Sequence, residues 1–132
     1  MTPSPRPRPF SYAVLRVVPD IEREEFVNAG LVLFCRAGRY LRARTSLPLE
    51  RLRALRPEAD MDGIRAQLAL IERIAAGELR NGPLAGMSQS ERFHWLTTPR
   101  STAIQPGPIH GGMLEDPDAT FEHLYASLVE PR

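Results

Sequence analysis

The sequence predicts one α+β domain, built on an antiparallel sheet of about four to five strands with helices packed mainly on one face. Residues 10–45 hold three short apolar segments separated by turns, which predicts an N-terminal β-meander. Residues 48–76 carry apolar side chains at helical spacing, and a further helix is predicted at the end of the chain. A chain of 132 residues has room for one hydrophobic core.

The first predicted strand follows a proline-rich arm. Residues 1–9 alternate proline with serine and arginine, and we expect them to be disordered, leaving a single domain at residues 10–132. Residues 12–18 predict a strand that is apolar on both faces except for Arg16. Residues 21–26 predict a short charged connection with one helical turn.

The next two strands are predicted to form a hairpin. Residues 30–35 are continuously apolar, as expected for a central strand that is covered on both sides. A turn at residues 37–38 leads into residues 40–45, where Leu41 and Ala43 face inward and the alternating arginines face outward.

Helices are predicted in the middle of the chain. Pro48 suits the first turn of a helix that continues to residue 55, and an apolar stripe predicts a second helix over residues 62–76. Ser88 and Glu91 have the spacing of a capping box, which predicts a further short helix.

The end of the chain combines a short strand with a helix. Residues 101–105 are strand-like within a stretch rich in proline and glycine. Asp116 is typical of a helix N-cap, and Pro117 suits the first helical position. Apolar side chains over residues 121–129 then recur at helical spacing, which predicts an amphipathic helix.

Charge and cysteine content restrict the expected cellular compartment and the classes of molecule that the protein is expected to bind. All 17 basic residues are arginines, but 16 acidic residues leave a net charge of +1, which gives no overall field to attract nucleic acid. A nucleic-acid role would need Arg36, Arg39, Arg42 and Arg44 to form a continuous basic stripe. The single cysteine, Cys35, fits a reducing compartment. No apolar run has the length of a membrane span or the pattern of a signal peptide, so we expect a cytoplasmic protein.

The first candidate site is the polar stretch around Asn28. Asn28 and Gly30 are typical of a turn that leads into a strand. Arg16 lies in an otherwise apolar strand, and a buried arginine needs a partner, which Glu24 or Glu25 would supply as a bidentate carboxylate. Two interpretations stay open, namely a structural Arg–Glu pair and a ligand-binding Arg16.

The second candidate site is residues 97–112, where prolines and glycines alternate with polar side chains. Arg100 and Ser101 could bind an anion such as phosphate or carboxylate, and Gln105 and His110 lie in the same stretch. The alternative is an irregular connection packed on the sheet, in which the imidazole binds a nearby carbonyl.

Catalytic and metal-binding signatures are missing. Ser101, His110 and Glu24 would make a hydrolytic triad, but no nucleophile-elbow glycines flank the serine. The three histidines lack metal-ligand spacing, and no phosphate loop or dinucleotide fingerprint is present. We therefore expect no metal and no cofactor.

Two sets of residues resemble the motifs of a known bacterial family. They are YAVLRVVPD at residues 12–20 with REEFVNAGLVL at residues 23–33, and PRST at residues 99–102 with QPGP at residues 105–108. The family is domain of unknown function 3037, and the resemblance covers nearly the whole chain beyond the arm. It implies no activity and assigns no catalytic residue. It does imply an accessory or regulatory role, because members are often encoded beside a HipA-like kinase.

From these features we expect a non-enzymatic binding or accessory module, with a HipA-like kinase as the suspected protein partner. The rival hypothesis is a small enzyme or anion-binding domain whose single cleft contains side chains from both polar stretches. It requires Arg16 and Arg100 to lie on the same face of the sheet. The sequence indicates neither the ligand nor the oligomeric state.

Overall fold

The computed structural model describes residues 6–100 and 102–131, and this part of the chain forms a five-stranded antiparallel sheet and four α-helices. The strands are β1 (Arg8–Asp20), β2 (Glu25–Cys35), β3 (Tyr40–Thr45), β4 (Ile104–Pro106) and β5 (His110–Leu114). The helices are α1 (Leu49–Leu55), α2 (Met61–Ala76), α3 (Gln89–Leu96) and α4 (Pro117–Leu128), with a 3-10 turn at Ile21–Arg23. The predicted α+β class with its N-terminal meander is therefore confirmed.

The long strand β1 lies at the centre of the sheet. It pairs with β2 along one edge, and its other edge is shared by β4 at residues 15–17 and β5 at residues 8–12. β3 extends the sheet beyond β2. β1 already begins at Arg8, inside the segment predicted to be a disordered arm (residues 1–9). Residues 1–5 of that arm lie outside the described residues.

β2 contains a bulge where it passes Arg16. The strand begins at Glu25, whereas the sequence pattern placed its start at Gly30. Arg16 pairs with Asn28 although the preceding step of the ladder ends on Gly30, so Ala29 is an extra residue in β2. A bulge increases the local twist and redirects side chains. Asn28 and Gly30 are thus bulge residues inside a strand, and the predicted turn at this point is wrong.

Helices cover both faces of the sheet, with three on one face and one on the other. α1, α2 and α3 pack on a core that includes Ala13, Leu15, Val17 and Val32 of the sheet. We call this side the α2 face. α4 covers the other side, the α4 face, over a second core made of Leu31, Leu33, Cys35, Leu114, Phe121, Tyr125 and Val129. Successive strand residues point to opposite faces, which is why β1 and β2 contribute to both cores.

The helix boundaries follow the capping residues. The Ser88 hydroxyl and the Glu91 carboxylate form the predicted capping box at the start of α3. Asp60 accepts a hydrogen bond from a backbone N–H at the start of α2, and Gly77 ends that helix at a φ of 74°. Asp116 caps α4 directly before Pro117. These local signals place the helices close to their predicted positions.

Candidate functional site

Arg16 is a half-buried cation on the α4 face. Leu15 and Val17, its neighbours in β1, belong to the core of the α2 face, so strand alternation turns Arg16 the other way. Its Cζ atom lies 4.2 Å from the centroid of the Phe26 ring. Its Nε atom is buried and has no hydrogen-bond acceptor among the described residues. The guanidinium therefore stacks on an aromatic ring instead of binding a carboxylate.

The predicted ion pair between Arg16 and Glu24 or Glu25 is wrong. The Glu25 carboxylate binds the Arg23 guanidinium. Glu24 is exposed and ends the 3-10 turn in the left-handed conformation, at a φ of 56°. Because β2 begins at Glu25 and its side chains alternate, the residue that faces Arg16 is Phe26.

Asn28 and Gln105 flank Arg16 on the two neighbouring strands. The Asn28 Nδ2 atom donates a hydrogen bond to the Leu128 carbonyl at 3.0 Å, which ties β2 to the end of α4. The Gln105 Nε2 atom donates to the Thr102 carbonyl at 2.8 Å. Both amides are thus engaged within the protein, and the guanidinium between them is the group left for a partner.

A row of rings continues along the same side of β1. The ring centroids of Phe10 and Tyr12 are 5.9 Å apart, and those of Tyr12 and His110 are 5.3 Å apart. His110 is exposed, and Phe26 is 45% exposed. We call Phe10, Tyr12, Arg16, Phe26 and His110 together the β1 face.

Arg100 lies on the α2 face, against the end of α3. Its Cζ atom is 3.5 Å from the centroid of the Trp95 ring, and its Nη2 atom donates to the Trp95 carbonyl. It lines a cavity together with Leu15 and Ile74, which belong to the core of the α2 face. Arg16 and Arg100 therefore lie on opposite faces of the sheet. The rival hypothesis of a single cleft that contains both arginines is wrong.

The structure thus divides the second polar stretch between the two faces. Gln105 and His110 join Arg16 on the α4 face, because each pairs with a β1 residue of that face. Arg100 does not join them. Ser101 lies outside the described residues, so its predicted place in an anion site or a triad stays a prediction.

Trp95 and Arg100 line two neighbouring hollows, which together we call the Trp95 cleft. The inner one is a cavity of about 190 Å³ between α2, α3 and β4, with mainly apolar walls. The outer one is more open and runs along α3 past Ser90, Glu91 and His94. The sequence patterns did not identify Trp95 as a wall of a cleft. The available signal was its position at the end of a helix, five residues before Arg100.

The arginines of β3 do not form a free basic stripe. Arg42 and Arg44 lie under α4, where Arg44 binds both carboxylate oxygens of Glu122, at 2.6 and 2.9 Å. Arg42 reaches Glu122 at 3.2 Å and Asp118 at 3.3 Å. Tyr40 donates to Asp118 at 2.8 Å, and burial raises the pKa of Tyr40 to about 12. The predicted outward orientation is wrong because α4 covers this face.

Among the described residues, no three His, Cys, Asp or Glu side chains lie together as metal ligands would. No helix in this part of the chain combines the length and apolar character needed to cross a membrane. No curated protein and no solved structure matches the chain. A family model described as "Protein of unknown function (DUF3037)" matches residues 12–129, which include both sequence motifs. The chain therefore belongs to the DUF3037 family.

Proposed function

We propose that this protein is a bacterial, cytoplasmic, non-enzymatic binding module that docks onto a partner protein through the β1 face. Arg16 is the observation that carries the proposal. It is a half-buried cation with no carboxylate partner among the described residues, and it is stacked on an exposed aromatic ring.

The chemistry of the β1 face suits a protein interface. Arginine and aromatic side chains are enriched at the centres of interfaces, where they contribute most of the binding energy. A carboxylate of the partner would form charge-assisted hydrogen bonds with Arg16, which no carboxylate among the described residues supplies. Phe26, at 45% exposure, would contribute apolar area next to that ion pair.

A HipA-like kinase is the partner that we propose. The family resemblance supports this choice, because members are often encoded beside such a kinase. The protein would then act as an accessory or regulatory subunit and would contribute no catalytic group of its own.

Binding of the purified kinase tests the proposal. The HipA-like kinase from the same genome is mixed with the full chain, and complex formation is measured by light scattering and calorimetry. We expect a stoichiometric complex, with Phe26→Ser raising Kd about tenfold or more. The matched control is Met113→Ser, which removes a side chain that is 62% exposed on the opposite face of β5.

A second variant displaces Arg16 without removing its charge. A Cβ atom at Gly107 would lie 3.1 Å from the Arg16 Cζ atom and 3.2 Å from the Val14 carbonyl oxygen. Gly107→Ala therefore forces the flexible guanidinium, more readily than the β1 backbone, to shift by a few tenths of an ångström. We expect this variant to weaken the complex as well. Absence of a complex, or a complex that is indifferent to both Phe26→Ser and Gly107→Ala, would exclude docking through the β1 face.

A further inference from the structure

The Trp95 cleft has an apolar interior and one cation at its mouth. The inner cavity is walled mainly by apolar side chains, among them Leu15, Ile71 and Ile74, and its polar side chains besides Arg100 are Gln67 and Thr102. Its volume is about 190 Å³. Since one water molecule occupies about 30 Å³ in the liquid, this space equals that of about six water molecules. A methylene group is similar in size to a water molecule, so the cavity accepts an apolar group of about six carbon atoms.

Arg100 is held in a fixed position at this mouth. Its Cζ atom lies over the Trp95 ring, 3.5 Å from the ring centroid, and the Trp95 carbonyl accepts a hydrogen bond from one of its N–H groups. No salt bridge of the described residues includes Arg100. Burial lowers the pKa of Arg100, so an anion bound beside it would offset the cost of desolvating the cation.

The other charged group along the cleft is engaged elsewhere. The Glu91 carboxylate accepts a hydrogen bond from the Ser88 backbone N–H at 3.1 Å, at the start of α3. That hydrogen bond lowers the pKa of Glu91 and keeps it ionised. A ligand with a second negative charge in the outer hollow would meet repulsion from Glu91, so one carboxylate is favoured over two.

We propose that the Trp95 cleft binds a small apolar monocarboxylic acid. The carboxylate lies on Arg100, and a branched or aromatic body of about six carbon atoms fills the inner cavity. The guanidinium is planar and presents its remaining donors as a fork, which suits a carboxylate. The site is independent of the proposed docking function, because the cleft and the β1 face lie on opposite faces of the sheet.

Tryptophan fluorescence measures this binding directly. The sequence contains one tryptophan, Trp95, so any change in indole emission comes from the cleft. The probes are 4-methylpentanoate and 3-phenylpropionate, each compared with its neutral amide. We expect a saturable change with the acids and a Kd about tenfold higher for the amides, because a charge-assisted hydrogen bond to Arg100 is lost.

Two variants measure separately what the charge of Arg100 and the shape of the inner cavity contribute to binding. Arg100→Gln should remove the preference for acid over amide, whereas Arg53→Gln, which changes an exposed arginine of α1, should keep it. Leu70→Phe narrows the entrance at a side chain that is 40% exposed and should weaken acid and amide equally. Because Leu70 is at the surface, this variant keeps the test valid if Arg100→Gln fails to fold.

Three results would show that the Trp95 cleft does not bind an apolar monocarboxylic acid through Arg100. No saturable change up to about 10 mM acid, equal binding of acid and amide, or an unchanged preference in Arg100→Gln would overturn the proposal. A peptide Gly-Gly-Leu with a free C-terminus serves as a further probe. If it bound about tenfold more tightly than 4-methylpentanoate, the occupant would be a protein C-terminus, and the small-molecule assignment would be rejected.

Discussion

Gly30 lies where the sheet leaves no space for a side chain. A Cβ atom there would lie 2.9 Å from the Arg44 carbonyl oxygen and 3.2 Å from a methyl carbon of Leu15. Backbone atoms of β3 cannot retreat without opening the ladder. Its φ is not positive, so close packing at the bulge, and not a left-handed conformation, selects glycine.

We expect Gly30→Ala to lower the free energy of unfolding by about 1–3 kcal/mol, because the added methyl group overpacks the sheet. Urea unfolding followed by circular dichroism measures this change. Gly86→Ala is the control, since a Cβ atom there would meet no atom within 4 Å. It should change the free energy by less than about 0.5 kcal/mol. Equal effects of the two substitutions would show that crowding does not select Gly30.

The surroundings of Arg16 were only partly predictable from the sequence. An arginine inside an apolar strand is conspicuous in the sequence, and its need for a neighbour was predictable. The nature of the neighbour was not, because it depends on the extra residue Ala29 and on where β2 begins. A shift of one residue exchanges the two faces of a strand. That shift decides between Glu25 and Phe26 as the side chain beside Arg16.

Between elements, the contact of α4 with β3 combines charge and stacking. Glu122 binds Arg42 and Arg44, and the Arg44 guanidinium holds the pKa of Glu122 below its usual range. The Phe121 ring lies beneath both guanidinium groups, 4.3 Å from Arg42 and 5.5 Å from Arg44. Arginine suits this arrangement because a planar guanidinium stacks and pairs at the same time.

We expect Glu122→Gln to lower Tm at pH 7 and to make Tm fall less steeply as the pH is lowered. A lowered pKa in the folded state stabilises it above the unfolded-state pKa of about 4.3, and this contribution is lost as the pH falls. Calorimetry from pH 7 to pH 3 measures both effects. Glu78→Gln is the control, because Glu78 is exposed and belongs to no salt bridge of the described residues. Identical pH profiles for wild type and Glu122→Gln would contradict the prediction.

The helices were the most predictable elements, since their signals are local. Asp116 before Pro117, and Ser88 three residues before Glu91, mark helix starts without any tertiary information. The position of α4 on the face opposite α2 was not predictable. Its apolar stripe specifies a buried side of the helix, but not which face of the sheet receives it.

Across the whole molecule, one central strand joins two cores. β1 contributes Ala13, Leu15 and Val17 to the α2 face, while its alternate side chains Phe10 and Tyr12 pack against the core of the α4 face. Long-range pairing of β4 and β5 with β1 determines this architecture. Such pairings join residues that are between 87 (Val17 and Ile104) and 106 (Arg8 and Leu114) positions apart, so local sequence patterns contain no record of their register.

Hydrogen exchange tests the central role of β1. We expect backbone amides at the middle of β1 and β2 to exchange by global unfolding, because those strands are paired on both edges and covered on both faces. Amides of β5, where four of five residues are exposed, should exchange faster. Mass spectrometry of peptic fragments measures both. Equal protection of β5 and β2 would refute this order of local stability.

The shared edge of β1 has a consequence for synthesis. β2 can pair with β1 as soon as residues 25–35 have been made, but the second edge of β1 has no partner until β4 and β5 follow at residues 104–114. Until then the nascent chain therefore presents an open strand edge beside apolar side chains, a combination that favours association between chains. The sheet is completed only when residues 104–114 have been made.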